Sequence, residues 1–199
     1  VKWKVTLLIG IAVFIGVFLY KEYNKEAAYP LPDEDQLNSL INYDNIVLND
    51  NGDNQGEVGL NKGQIPPDIQ LQTLSGDLFD LREYKGKTVI LNFWATWCPP
   101  CRAEMPDMQK LNERYKDDVA VVAVNLTSAE KNKDNIQKFI DEFKIDFTIP
   151  LDENGQVGNS FGAYAIPTSY IIDKDGIIQQ KIIGPMTYEW MENEVNKLR

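Results

Sequence analysis

Apolar and polar positions run along this chain in blocks, and the first block has no period at all. Residues Val5 to Tyr20 read VTLLIGIAVFIGVFLY without a charge, just long enough to span a bilayer. Trp3, Tyr20 and Tyr23 flank the run as interfacial aromatics, and Lys4 and Lys21 can snorkel. The expectation is a single transmembrane anchor over 5–20 behind a tail of residues 1–4. A buried helix would sit badly beside the polar stretch that follows. Cleavage as a signal peptide lacks support, because small residues appear only at Ala27 and Ala28, beyond Glu22, Lys25 and Glu26. Lys2 and Lys4 precede the run and Lys21 and Lys25 follow it, so basic residues do not decide its orientation.

Residues 21–61 are polar and acidic, with Asp33-Glu34-Asp35 and the stretch Asn49 to Glu57. Such a composition buries too little apolar surface to offset chain entropy, so it reads as a tether. The acidic residues miss the spacing of a helix-flanked calcium loop. Leu37, Leu40 and Ile41 form an apolar patch within it.

Periodicity begins in residues 62–199, enough chain for one domain with its own core. Strand-like runs are Thr88–Phe93, Val119–Leu126, Thr168–Ile172 and, after the turn Asp173-Lys174-Asp175-Gly176, Ile177–Ile183. Helical stripes lie between and after them: Met105, Met108 and Leu111; Ile136, Phe139, Ile140 and Phe143; Met191, Val195 and Leu198. A segment Ile69–Leu81 adds an N-terminal hairpin through Ser75-Gly76. Strands alternating with helices predict an α/β fold with a mixed sheet, since the last two strands pair as a hairpin.

Composition narrows the chemistry. The chain of 199 residues has a net charge of −10, which argues against nucleic acid as a partner. It has two cysteines and no histidine. Ser-His-Asp hydrolases and Cys-His proteases are therefore excluded. A structural zinc site would lack two of its four ligands, so no metal and no cofactor is expected.

Both cysteines stand in Cys98-Pro99-Pro100-Cys101, at the end of a predicted strand and the start of a predicted helix. Unpaired N–H groups and the helix dipole favour a thiolate at a helix N-terminus, which makes Cys98 the attacking group. Cys101, one turn on, is placed to attack the mixed disulfide and close an internal one. Pro99 suits the first helical position. The two prolines also leave the N–H groups of Cys101 and Arg102 as the nearest donors to Cys98. Glu104 lies one turn beyond Cys101 on the same side of the helix. A nearby carboxylate accepts protons and raises a thiol pKa, although the dipole favours an acid there in any case.

The stretch Asn92-Phe93-Trp94-Ala95-Thr96-Trp97-Cys98-Pro99-Pro100-Cys101-Arg102-Ala103-Glu104 resembles the thioredoxin superfamily, in particular its ResA/TlpA-like branch of membrane-anchored thiol-disulfide oxidoreductases. The resemblance extends over about 65–199, with Ile65-Pro66-Pro67-Asp68 and Ala165-Ile166-Pro167-Thr168. It implies a thioredoxin-like fold and a cis proline at Pro167 facing the dithiol. It also implies client binding by Ile166, Pro167 and Thr168, bordered by Trp97, Pro99 and Pro100. Cytosolic thioredoxins have an aspartate where this chain has Asn92, which leaves Glu104 as the candidate proton acceptor for Cys101. ResA carries an acidic residue inside its dithiol motif where this chain has Pro99-Pro100, so client choice and potential do not transfer.

The implied activity is reduction of disulfides in exported proteins on the extracytoplasmic side of the cell membrane, apocytochrome c being one client served by the family and spore-envelope assembly another process. A membrane thiol carrier of the CcdA/DsbD type is the implied electron donor, and a monomer suffices. Two other functions compete with this one. A thiol peroxidase shares the fold, but its cysteine follows a threonine by three positions and here Thr96 precedes Cys98 by two. A non-catalytic, chaperone-like binding module would use the Trp97/Pro167 surface without the dithiol.

Overall fold

The computed structural model describes residues 56–199. The anchor expected over 5–20, the tether up to residue 55 and the Leu37-Leu40-Ile41 patch lie outside the described residues. Among the described residues no helix is long and apolar enough to cross a membrane.

The elements run β1 (Gln70–Gln72), β2 (Leu78–Asp80), β3 (Thr88–Trp94), α1 (Pro99–Tyr115), β4 (Val119–Asn125), α2 (Asp134–Phe143), α3 (Gln156–Ser160), β5 (Thr168–Ile172), β6 (Ile178–Ile183) and α4 (Tyr188–Leu198). The main sheet has the order β4-β3-β5-β6. β3 and β4 are parallel neighbours joined by the α1 crossover, while β5 and β6 run antiparallel. The sheet is mixed, as the hairpin signal predicts, and this is a thioredoxin-like α/β fold. Every residue of β3 and β4 is buried, which explains their near-continuous apolar sequences.

Side chains alternate across β3 and so divide the core in two. Ile90 and Trp94 face α1, α2 and α4, meeting Met105, Met108, Phe139, Met191 and Val195. Val89, Leu91 and Phe93 face the other side, against Ile69, Phe79, Phe161 and Tyr170. The parity puts Asn92 with the first set, on the face that α1 covers.

Three local outcomes differ from the sequence reading. Residues 57–61, read as tether, fold back onto the domain: Ile65 N–H donates to the Glu57 carbonyl and Gly59 N–H to that of Ile65, each at 2.9 Å, and Leu60 packs on the core. Ile177 belongs to the turn rather than to β6, because the Asp173 carboxylate accepts its N–H at 2.9 Å. Helix α3 carries no apolar period; its first turn is held by Asp152, a fully buried carboxylate that accepts Gly158 N–H at 2.7 Å. The hairpin of β1 and β2 pairs Gln70 with Asp80 and turns at Gly76, whose φ of +90° suits glycine.

Candidate active site

The site grows from the end of β3. Cys98 caps α1 in extended conformation, with Pro99 and Pro100 in the first two helical positions. Neither proline has an N–H, so the first amide that reaches the Cys98 sulfur is that of Cys101, at 3.3 Å. Cys98 and Cys101 are joined as a disulfide with their Cα atoms 5.3 Å apart. Cys98 is 2% exposed and Cys101 fully buried, so Cys98 is the less covered of the pair.

Opposite lies the segment before β5. The Ile166-Pro167 bond is cis, and the Ile166 carbonyl lies 3.7 Å from Cys98 Sγ. A disulfide sulfur has no proton to donate, so this is a contact rather than a hydrogen bond. The Thr168 hydroxyl donates to the Ala165 carbonyl at 2.6 Å, and the Pro167 carbonyl accepts Gly184 N–H at 2.8 Å. These bonds brace the loop from both sides.

Trp97 is half exposed and its indole N–H donates to the Ala129 carbonyl at 3.0 Å. The preceding Thr96 is held by Glu130, whose carboxylate accepts both the backbone N–H and the hydroxyl at 2.6 Å. Asn125 donates to the same carboxylate at 3.0 Å. On the other flank Arg102 donates to the Thr96 carbonyl at 3.4 Å and lies over the Phe139 and Phe143 rings. Sequence reasoning missed Glu130 and Arg102. Glu130 sits after a 3-10 turn some thirty residues downstream, and no local pattern connects it to Thr96.

Glu104, on α1 one turn beyond Cys101, is 1% exposed. Its Oε1 accepts from Asn92 Nδ2 at 2.8 Å and its Oε2 from Met186 N–H at 2.9 Å. Burial raises its pKa and outweighs these two bonds, which favour the ionised form; the result is a carboxyl pushed up to about 7. Asn92 was read from sequence only as a neutral residue, not as a partner of Glu104.

A consequence for stability follows. The folded disulfide form keeps the Glu104 proton up to about pH 7, whereas an unfolded chain releases it in the ordinary carboxyl range. The contribution is fully present below that ordinary range and is lost as pH rises through about 7. The difference amounts to about 3 kcal/mol. Denaturant unfolding of the oxidised protein from pH 5 to pH 8 should therefore show a fall in stability of that order, absent from Glu104→Gln. Equal slopes for the two proteins would contradict it.

Comparison with known proteins places the chain in a family. Residues 61–198 match the Redoxin family. The chain is 47% identical over 140 residues to the thioredoxin-like protein YneN of Bacillus subtilis, covering 70% of this chain and 82% of the relative. It is 39% identical over 138 residues to the thiol-disulfide oxidoreductase ResA of Geobacillus thermodenitrificans, covering 69% and 78%. Among solved structures, StoA from Bacillus subtilis is similar with a TM-score of 0.58 and 35% identity, over 65% of this chain and 96% of that one. A putative thiol:disulfide interchange protein DsbE from Chlorobium tepidum gives 0.61 and 33%, over 68% and 94%. With a dithiol at the head of α1, a cis proline against it and relatives named for this chemistry, the chain belongs to the Redoxin family as a ResA-like thiol-disulfide oxidoreductase of the thioredoxin superfamily.

Proposed function

We propose that this oxidoreductase works as a reductant of disulfides in exported proteins, on the extracytoplasmic side of the membrane and anchored by residues 5–20. The observation that carries the reading is Glu104, a buried carboxyl one turn beyond Cys101 and held near neutrality, where it can take and return a proton at physiological pH. In the reduced enzyme the Cys98 thiolate attacks one sulfur of the client disulfide, and the client's other sulfur leaves as a thiolate. Cys101 then passes its proton to Glu104 and attacks Cys98 Sγ, which releases the client's second thiolate. The enzyme ends as the Cys98–Cys101 disulfide and two electrons have moved to the client. Trp97, Pro99, Pro100, Ile166, Pro167 and Thr168 form the client surface around Cys98.

Regeneration needs two electrons from another dithiol, and a membrane thiol carrier of the CcdA/DsbD type fits a reductase that faces an oxidising compartment. Apocytochrome c, with its paired cysteines, is the client class put forward, met by a monomer. The test is the reduction potential of the full chain, equilibrated in thiol redox buffers and read by alkylating Cys98 and Cys101. A value of about −270 mV is expected, near that of thioredoxin; one of about −120 mV would make the protein an oxidant and reverse the proposed direction.

A further inference from the structure

β3 is apolar from Val89 to Trp94 except at Asn92, which is fully buried. A core amide carries two donors and an acceptor that water would otherwise satisfy, so an apolar residue would fill this place at lower cost. The amide is also lopsided in its bonding. Nδ2 spends both protons, one on Glu104 Oε1 at 2.8 Å and the other on Ser169 Oγ at 2.9 Å. Oδ1 is buried with no partner among the described residues.

This orientation suits an anion. An amide oxygen turned towards Glu104 would repel the carboxylate and accept a hydrogen bond from the neutral acid; the nitrogen does the reverse. Ser169, whose hydroxyl accepts the second Nδ2 hydrogen bond, is also fully buried and pairs with Asn92 across the β3–β5 ladder. Met186 N–H holds the second carboxylate oxygen at 2.9 Å. Each oxygen thus has its own donor, from β3 and from the loop before α4.

We propose that Asn92 is a positioning residue that presents the Glu104 carboxylate in its proton-accepting form. The proposal deepens the reading that Glu104 exchanges a proton with Cys101 and rests on it for its catalytic meaning. Other titratable groups on the packed elements are engaged elsewhere. Cys101 is in the disulfide, and Asp107 on α1 accepts Tyr188 N–H at 3.1 Å. On α4, Glu192 accepts a hydrogen bond from the Tyr188 hydroxyl and Glu194 is paired with Lys197. The influences on Glu104 are burial and its bonds to Met186 and Asn92.

The experiment follows the Glu104 carboxyl carbon by NMR through a pH titration of the oxidised full chain, the signal being assigned by its loss in Glu104→Gln. In Asn92→Leu the midpoint is expected to rise by about one pH unit, the lower end of what a hydrogen bond to a charged group is worth. Asn92→Ala, which removes the same donor and leaves Ser169 in place, should shift the midpoint in the same direction. An unchanged midpoint in both variants overturns the proposal; if Asn92→Leu does not fold, an unchanged midpoint in Asn92→Ala does so alone. The oxidised protein has no free thiol, so this readout is independent of the exchange reaction. A raised midpoint together with full exchange activity in Glu104→Gln would sink the role of Glu104 in exchange and leave the positioning by Asn92 standing.

Discussion

Replacing Cys101 by serine is expected to leave the client covalently attached to the enzyme, whereas replacing Cys98 should leave nothing attached. Turnover should fall in both by more than about 10⁴-fold, the scale on which loss of an enzyme's nucleophile acts. The asymmetry comes from position. Cys98 caps α1 with the Cys101 N–H aimed at its sulfur, and it is the less covered of the two cysteines. A client disulfide can meet Cys98, and with serine at 101 no second thiol resolves the adduct. Non-reducing electrophoresis and mass spectrometry of each variant, reduced and then mixed with a disulfide-bonded client peptide, read the result. An adduct through Cys101 in Cys98→Ser would exchange the roles of the two thiols.

Glu104→Gln should slow client reduction about 100-fold at pH 8, the lower part of the range for a positioned acid or base. In the native enzyme the rate should rise with pH through about 7, as the buried carboxyl gives up its proton and becomes able to accept that of Cys101. The variant should lose this step and keep only the one set by the Cys98 thiol. Glutamine also turns an N–H₂ group towards the Asn92 amide or the Met186 N–H, both of which donate at this place. Unfolding the variant under the same conditions separates that disturbance from lost proton transfer. A variant that keeps both the native rate and the native pH profile would reduce Glu104 to a buried acid with no part in exchange.

Much of this arrangement was legible because it is local. Thr88 to Trp94 reads as a buried strand, the dithiol announces the head of a helix, and the stripe Met105-Met108-Leu111 tells which side of that helix is covered. What stayed hidden depends on pairs far apart in sequence. Asn92 meets Ser169 because β3 and β5 pair in one particular register, and it meets Glu104 because strand parity and helix phase coincide. Met186 reaches the same carboxylate from a loop 82 residues downstream. Helix α3 escaped for a different reason. Its sequence QVGNS has no apolar period, and it exists because Asp152 takes up its free N–H groups.

The full burial of Cys101, beside a Cys98 that keeps a trace of exposed surface, governs traffic as well as mechanism. A molecule that reacts first through Cys98 alone can hold one partner at a time, so whatever delivers electrons and whatever consumes them must dock in turn at the same residue. Such an enzyme obeys ping-pong kinetics. An excess of either partner crowds out the other, and throughput is greatest when the two are matched in supply rather than when both are abundant.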